Sequence, residues 1–218
     1  MKINEKKLTL KYRAKTFYFA SLFLPIKVKK DIENLYIFCR FLDDLGDDQN
    51  LSKIESSKKL MKVKKQIKKK KSTFPVVQKF IEIMIKHRIN KNVPIELIKG
   101  IEYDLKGKVN VKTFEELVKY CYQVAGTVGY MFCKIIGVEE KKLILGGIQL
   151  GIAMQLTNIS RDVAEDLKMN RVYLPKSMRS YKSNDKERIF RNKSIKKQLS
   201  KDLLVLLKKA ELFYENSW

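Results

Sequence analysis

The chain of 218 residues holds one histidine, His87, and three cysteines, Cys39, Cys121 and Cys133, none in a CxxC spacing. So few imidazoles and thiols exclude Ser/His/Asp and Cys/His hydrolase centres and histidine-rich zinc sites. The cysteines lie in apolar or aromatic runs and read as reduced, buried thiols of a cytoplasmic protein. His87, between Lys86 and Arg88, reads as a surface residue. Nine glycines and four prolines are few interruptions, and period-two alternation is scarce, which argues against a β architecture. The first residues lack a long apolar segment, so no signal peptide is expected. No uninterrupted apolar stretch reaches about 18 residues, so no bilayer span is expected. Acid is also scarce: 24 Asp and Glu stand against 47 Lys and Arg, a formal net charge of +23. The expected partners are therefore anionic: diphosphates, nucleic acid or an acidic membrane surface. Lysine scattered over solvated helix faces accounts for the same count.

What is present is helical periodicity almost throughout. The expected elements are a helix over 13–24 stopped at Pro25, and one N-capped by Asp31 running through YIFCRFLDDLGDD. Further helices are expected over 74–89 after Pro75 and from Pro94 to residue 105. Thr113 heads an S/T-x-x-E capping box and opens a helix at Phe114. A final helix is expected over 199–214. Residues 58–71 hold nine lysines in fourteen positions. Their thin apolar edge of Leu60, Met61, Val63 and Ile67 suits either a solvated helix face or an amphipathic helix on an anionic membrane. That run has no aromatic residue on which bases could stack, so nucleic acid is not an expected partner. The whole reads as an all-α, single-domain helical bundle over 1–218.

Two stripes carry chemistry. Gln155, Asn158, Asp162 and Asp166 recur at three, four and four residues, so they share one helix face, and all are oxygen donors within an otherwise apolar run. Tyr36, Arg40, Asp43 and Asp47 recur at four, three and four on the earlier helix. Carboxylates and amides suit Mg²⁺ rather than soft or imidazole-preferring metals. Two such stripes facing each other would hold divalent cations and, through them, a diphosphate. Arg161 lies about 120° from Gln155, off the stripe, where it either reaches around the helix or pairs with a neighbouring carboxylate. The helix from Phe114 contains Ala125, Gly126 and Gly129, with Gly146, Gly147 and Gly151 following in the next. Each helical glycine costs roughly 1 kcal/mol relative to alanine, so either close helix packing or a long apolar ligand is expected to compensate.

TFYFASLFLP, YIFCRFLDDLGDD, YCYQVAGTVGYM and QLTNISRDVAEDLKMNRVYLP resemble, in order, motifs of the squalene/phytoene synthases, and YCYQVAGTVG is closest to the phytoene-forming members. The resemblance implies an isoprenoid synthase fold around a central apolar cavity. It implies Mg²⁺, with Mn²⁺ as an alternative, held by Asp43, Asp47, Asn158, Asp162 and Asp166. Diphosphate or substrate contacts fall to Arg13, Lys15, Thr16, Tyr36, Arg40, Gln155 and Arg161. Tyr120, Val124, Ala125, Val128, Gly129 and Gly151 would line the tunnel, with Tyr120 steering the rearrangement. The implied reaction joins two geranylgeranyl diphosphates head to head into phytoene. A squalene or dehydrosqualene branch would use farnesyl diphosphate, and NADPH enters only if squalene forms. The expected setting is cytoplasmic or peripheral to the inner membrane face. Two departures stand out: Ser160 replaces a usual aliphatic residue, and the family's C-terminal helices are absent from the sequence.

Overall fold

A computed structural model describes residues 19, 22–48, 51–105, 107–181, 189 and 191–218, and Arg13, Lys15 and Thr16 lie outside them. Helices dominate: α1 Ile26–Asp47, α2 Lys53–Lys69, α3 Pro75–Lys86, α4 Asn92–Asp104, α5 Phe114–Cys121, α6 Thr127–Ile135, α7 Lys141–Lys168 and α8 Lys193–Glu215. A π-helical turn, Tyr122–Gly126, joins α5 to α6. The described strands are β1 Val109–Asn110 and β2 Arg171–Val172, a two-residue parallel pair. The chain divides into two compact units, residues 1–105 with 130–140, and 106–129 with 141–218.

In the first unit α1 buries Ile32, Leu35, Phe38, Phe41, Leu42 and Leu45, an i, i+3, i+4 pattern that turns one stripe to the core. Phe38 stacks on Phe80 of α3 with ring centroids 3.8 Å apart. α2 opens with a full capping box: Glu55 N donates to Ser52 Oγ, and Ser52 N donates to Glu55 Oε2. It then packs Leu60, Val63 and Ile67 inward, completely buried. The thin apolar edge, which suited either a solvated helix or a membrane surface, is therefore core, except for Met61, which is exposed. The lysines of this helix lie mostly on its outer side, and Lys64 reaches Glu102 of α4 at 2.7 Å.

Asp31 is not the N-cap of α1. The helix starts five residues earlier, directly after Pro25, and Asp31 lies inside it. Its carboxylate accepts from Lys86 Nζ at 2.6 Å and lies 2.8 Å from His87 Nε2. His87 is accordingly not a free surface residue; its side chain is only 15% exposed. Burial pushes the Asp31 carboxyl up, but the bonds from Lys86 and His87 outweigh it and hold the group below the usual range. Asp31→Ala is expected to cost about 1–2 kcal/mol in urea unfolding at pH 7. The depressed group contributes above its unfolded pKa, so the gap to the wild type should close as pH falls below about 4.

In the second unit Thr113 caps α5 as expected, accepting from Glu116 N at 3.3 Å. Glu116 reaches back to Lys112 N rather than to the cap residue. The expected unbroken helix from Phe114 is interrupted by the π-turn, a device that inserts one residue and re-aims the side chains after it. α7 is crossed by α8, with Thr157 Oγ1 3.3 Å from Tyr214 Oη. By length and composition α7 could cross a membrane, with a mean hydropathy of 1.3 over its apolar window. Its apolar residues are interrupted by glycines and isolated glutamines, which lower a window average only slightly, and a core helix has the same composition. Two of these glycines sit at close backbone approaches. A methyl group on Gly129 would overlap the Gly147 carbonyl, and one on Gly151 would lie 2.5 Å from the Ala125 carbonyl oxygen. Gly129 and Gly151 thus let two helices approach backbone to backbone.

Candidate active site

One candidate face, in the first unit, is the side of α1 turned away from the core of that unit. At 100° per residue Tyr36, Arg40, Asp43 and Asp47 lie roughly opposite Phe38 and Leu42. Tyr36 and Arg40 are half-buried. Arg40 donates from Nη2 to Asp44 one turn on at 2.6 Å, while its buried Nε has no hydrogen-bond partner. Such an orphaned donor carries a desolvation penalty that an acceptor would relieve. Asp43 is open to solvent at its edge, yet the protein around it pushes its carboxyl up to about 6. Burial is the largest cause; Arg40 opposes it, and Asp47, Asp44 and Asp104 add to it. Asp104 ends α4, which packs on α1 closely enough that a methyl on Gly46 would meet Ile101 at 2.8 Å. No pattern within the sequence links Asp104 to Asp43, since only the packing of α4 on α1 brings its charge there.

Another candidate face, in the second unit, lies on α7, where Gln155, Asn158, Asp162 and Asp166 are all half-buried. Asn158 Nδ2 stands 3.5 Å from Gln155 Oε1, so the two amides are adjacent on one face. Arg161 takes the second of its two expected roles, donating from Nε and Nη2 to the two oxygens of Asp162, both at 2.6 Å. This fork holds the Asp162 carboxyl below the usual range. Downstream, RVYLP is an anchor. Arg171 and Val172 pair with β1, Leu174 is buried, and Tyr173 stacks on Tyr120 with centroids 4.8 Å apart and hydroxyls 3.2 Å apart. Tyr120 is thus buried against the segment that ends the acidic helix. Arg179 Nε donates to the Leu174 carbonyl, and buried Asp202 of α8 accepts from Ser180 N and Oγ, fastening the chain that follows.

Among the described residues no three His, Cys, Asp or Glu side chains converge in ligating geometry. The donors on both faces are nevertheless all oxygen, two carboxylates one turn apart on each helix. The donors of each face suit a hard divalent cation, and the orphaned guanidinium nitrogen on α1 suits an anion.

The squalene/phytoene synthase family model matches residues 10–218. The chain belongs to the squalene/phytoene synthase family. Members of this family are prenyltransferases. The chain is 28% identical to the 15-cis-phytoene synthase of Pantoea ananas, over 97% of its own length and 72% of that protein's. It is 32% identical to phytoene synthase 1, chloroplastic, of Arabidopsis thaliana, over 94% of its length. It spans half the length of that plant relative and 57% of the phytoene synthase of Pseudescherichia vulneris. Among solved structures, a ligand-bound dehydrosqualene synthase superposes with a TM-score of 0.81 at 30% identity, covering 95% of this chain and 72% of that one. Squalene synthase from Alicyclobacillus acidocaldarius also gives 0.81, at 20% identity, covering 97% and 80%, a likeness of fold alone. The all-α isoprenoid synthase fold expected from the motifs is the observed one.

Proposed function

We propose that this protein condenses two molecules of geranylgeranyl diphosphate head to head into phytoene, by way of a cyclopropylcarbinyl diphosphate. The observation that carries the reading is the pair of oxygen-donor faces on α1 and α7, in a chain whose curated relatives include bacterial and plant phytoene synthases. Asp43 and Asp47 in the first unit, and Asn158, Asp162 and Asp166 in the second, would supply the metal ligands. Bound Mg²⁺ would neutralise the diphosphate and stabilise the charge that develops as it leaves. Arg40 is placed to give its unpartnered Nε to a diphosphate oxygen, and Arg161 keeps Asp162 ionised and aimed. Tyr36 and Gln155 flank these groups, each on its own helix face, and the resemblance would assign further diphosphate contacts to Arg13, Lys15 and Thr16. Val124, Ala125 and Val128, half-buried on and after the π-turn, would line the prenyl tunnel and exclude water from the cation. Gly129 and Gly151 would shape that tunnel by letting its helices close together. Tyr120, held by Tyr173, would steer the rearrangement of the second half-reaction. The setting would be cytoplasmic, with the long prenyl substrates drawn from a membrane.

The likeness to a dehydrosqualene synthase at 30% identity favours a second reading, in which farnesyl diphosphate is the substrate. One assay separates them: the protein, Mg²⁺ and radiolabelled geranylgeranyl or farnesyl diphosphate, with and without NADPH, followed by hydrocarbon extraction. Labelled phytoene, formed without NADPH, is the expected product. Hydrocarbon from farnesyl diphosphate alone would move the chain to the sister branch, and no hydrocarbon from either would leave a non-catalytic family member.

A further inference from the structure

The ladder between β1 and β2 breaks at Tyr173, and one side chain bridges the break. Val109 N donates to the Asn170 carbonyl and Val111 N to the Val172 carbonyl. Continued in the same parallel register, the pairing would set Tyr173 opposite Val111 and give the Val111 carbonyl to Leu174 N. That carbonyl accepts instead from Lys176 N at 3.0 Å. Leu174 and Pro175 are therefore extra, a bulge that follows the last regular position, where Tyr173 stacks on Tyr120. Arg179 spans the bulge. Its Nε donates to the Leu174 carbonyl at 3.0 Å, and its Nη2 to Asn110 Oδ1 and, at 3.4 Å, to the Val111 carbonyl. The chain beside it is fixed from another direction, since Ser180 donates from N and Oγ to Asp202 of α8.

We propose that Arg179 is a positioning residue for the Tyr120–Tyr173 pair, holding the bulge in the shape that sets the stacked rings and their hydroxyls for the second half-reaction. It acts through Tyr173 rather than on the substrate, and its part in the reaction rests on the role proposed for Tyr120. The three acceptors of Arg179 are neutral oxygens, and burial pushes its guanidinium pKa below the usual range. A desolvated cation given to neutral acceptors is a costly staple if the fold alone is served. A rigid fork with donors on more than one edge is what reaching both sides of a bulge requires. Without the fork, the Leu174 and Val111 carbonyls lose a donor and the bulge can take another shape. The β1–β2 bonds before it and the Ser180–Asp202 bonds after it keep its ends in place. The change is thus local, and it falls on Tyr173.

Two readouts on R179A and R179K test this, one of them independent of turnover. In fluorine NMR of the full chain labelled with 3-fluorotyrosine, the Tyr120 and Tyr173 signals, assigned with Y120F and Y173F, should shift or broaden in both variants. Lysine keeps the charge but not the fork, so R179K should not restore them. The Tyr214 signal on α8, beside Thr157, should stay. With Mg²⁺ and the prenyl diphosphate that the wild type turns over, the ratio of hydrocarbon to released cyclopropylcarbinyl diphosphate should fall by about tenfold, since the first ionisation does not use the pair. N110A, at an exposed residue, removes one acceptor of the fork and should move both readouts less in the same direction, even if R179A fails to fold. Unmoved Tyr120 and Tyr173 signals overturn the proposal. So does a Tyr214 signal that moves with them, which means general loosening, or a wild-type product ratio in a variant whose signals move. A wild-type protein that makes no hydrocarbon overturns the phytoene reading instead, and the fluorine signals still decide whether Arg179 positions the pair.

Discussion

Gly129→Ala is expected to be the most damaging single-methyl addition in the second unit, lowering stability by about 3 kcal/mol or more. At this chain length that corresponds to a fall in Tm of roughly 6–12 °C. The new methyl would overlap the Gly147 carbonyl oxygen and lie 2.8 Å from the carbonyl carbon. Both atoms are backbone of α7 and cannot rotate away as a flexible side chain would. Relief requires the backbone at Gly129 to move away from Gly147, which loosens the packing around both residues. Gly137→Ala is the control: its φ of +89° imposes backbone strain of about 1–2 kcal/mol, but nothing lies within 4 Å of the added methyl. Thermal melting of the two variants side by side checks the claim. A Gly129→Ala protein that melts with the wild type would mean that the close approach is not needed.

The helices were legible because their apolar spacing is local, and so were the two functional faces, since each is a repeat within one helix. The off-stripe angle of Arg161 left two outcomes open, and the observed one is its bond to Asp162. What was hidden lies between elements. Asp31 reads as an N-cap because a short acceptor before an apolar run usually is one. The Lys86 and His87 partners that hold it mid-helix are more than fifty residues away. Leu60, Val63 and Ile67 give the same amphipathic pattern whether a core or a membrane covers them. The glycines of the 126–151 region fit a ligand or a neighbouring helix equally well until the position of a missing methyl is examined. The π-turn leaves no sequence signature, since it changes hydrogen-bond register without changing residue type. The β1–β2 pair, two residues long and sixty apart in the chain, falls below any periodicity.

Asp43→Asn is expected to abolish most turnover and yet stabilise the metal-free protein at neutral pH. Loss of a carboxylate that balances the diphosphate's cation should lower hydrocarbon formation by at least about 10²-fold, the scale for removing one preorganised electrostatic group. The stability effect has the opposite sign because burial and the neighbouring Asp47, Asp44 and Asp104 disfavour the ionised form, outweighing Arg40. The Asp43 carboxyl is raised from 3.8 to about 6, so between those values the folded chain binds more protons than the unfolded one. Stability then falls as pH rises through that window. In EDTA, the variant should therefore melt with the wild type below about pH 4, diverge upward between 4 and 6, and stay more stable above. Asp162→Asn should do the reverse. Arg161 holds that carboxyl below its usual range, so its ionised form stabilises the fold, and the substitution costs both activity and stability at pH 7. Two aspartates with one proposed role thus carry opposite stability signatures. An Asp43→Asn protein less stable than the wild type in EDTA at pH 7.5 would remove the basis for placing a strained, cation-requiring carboxylate on α1.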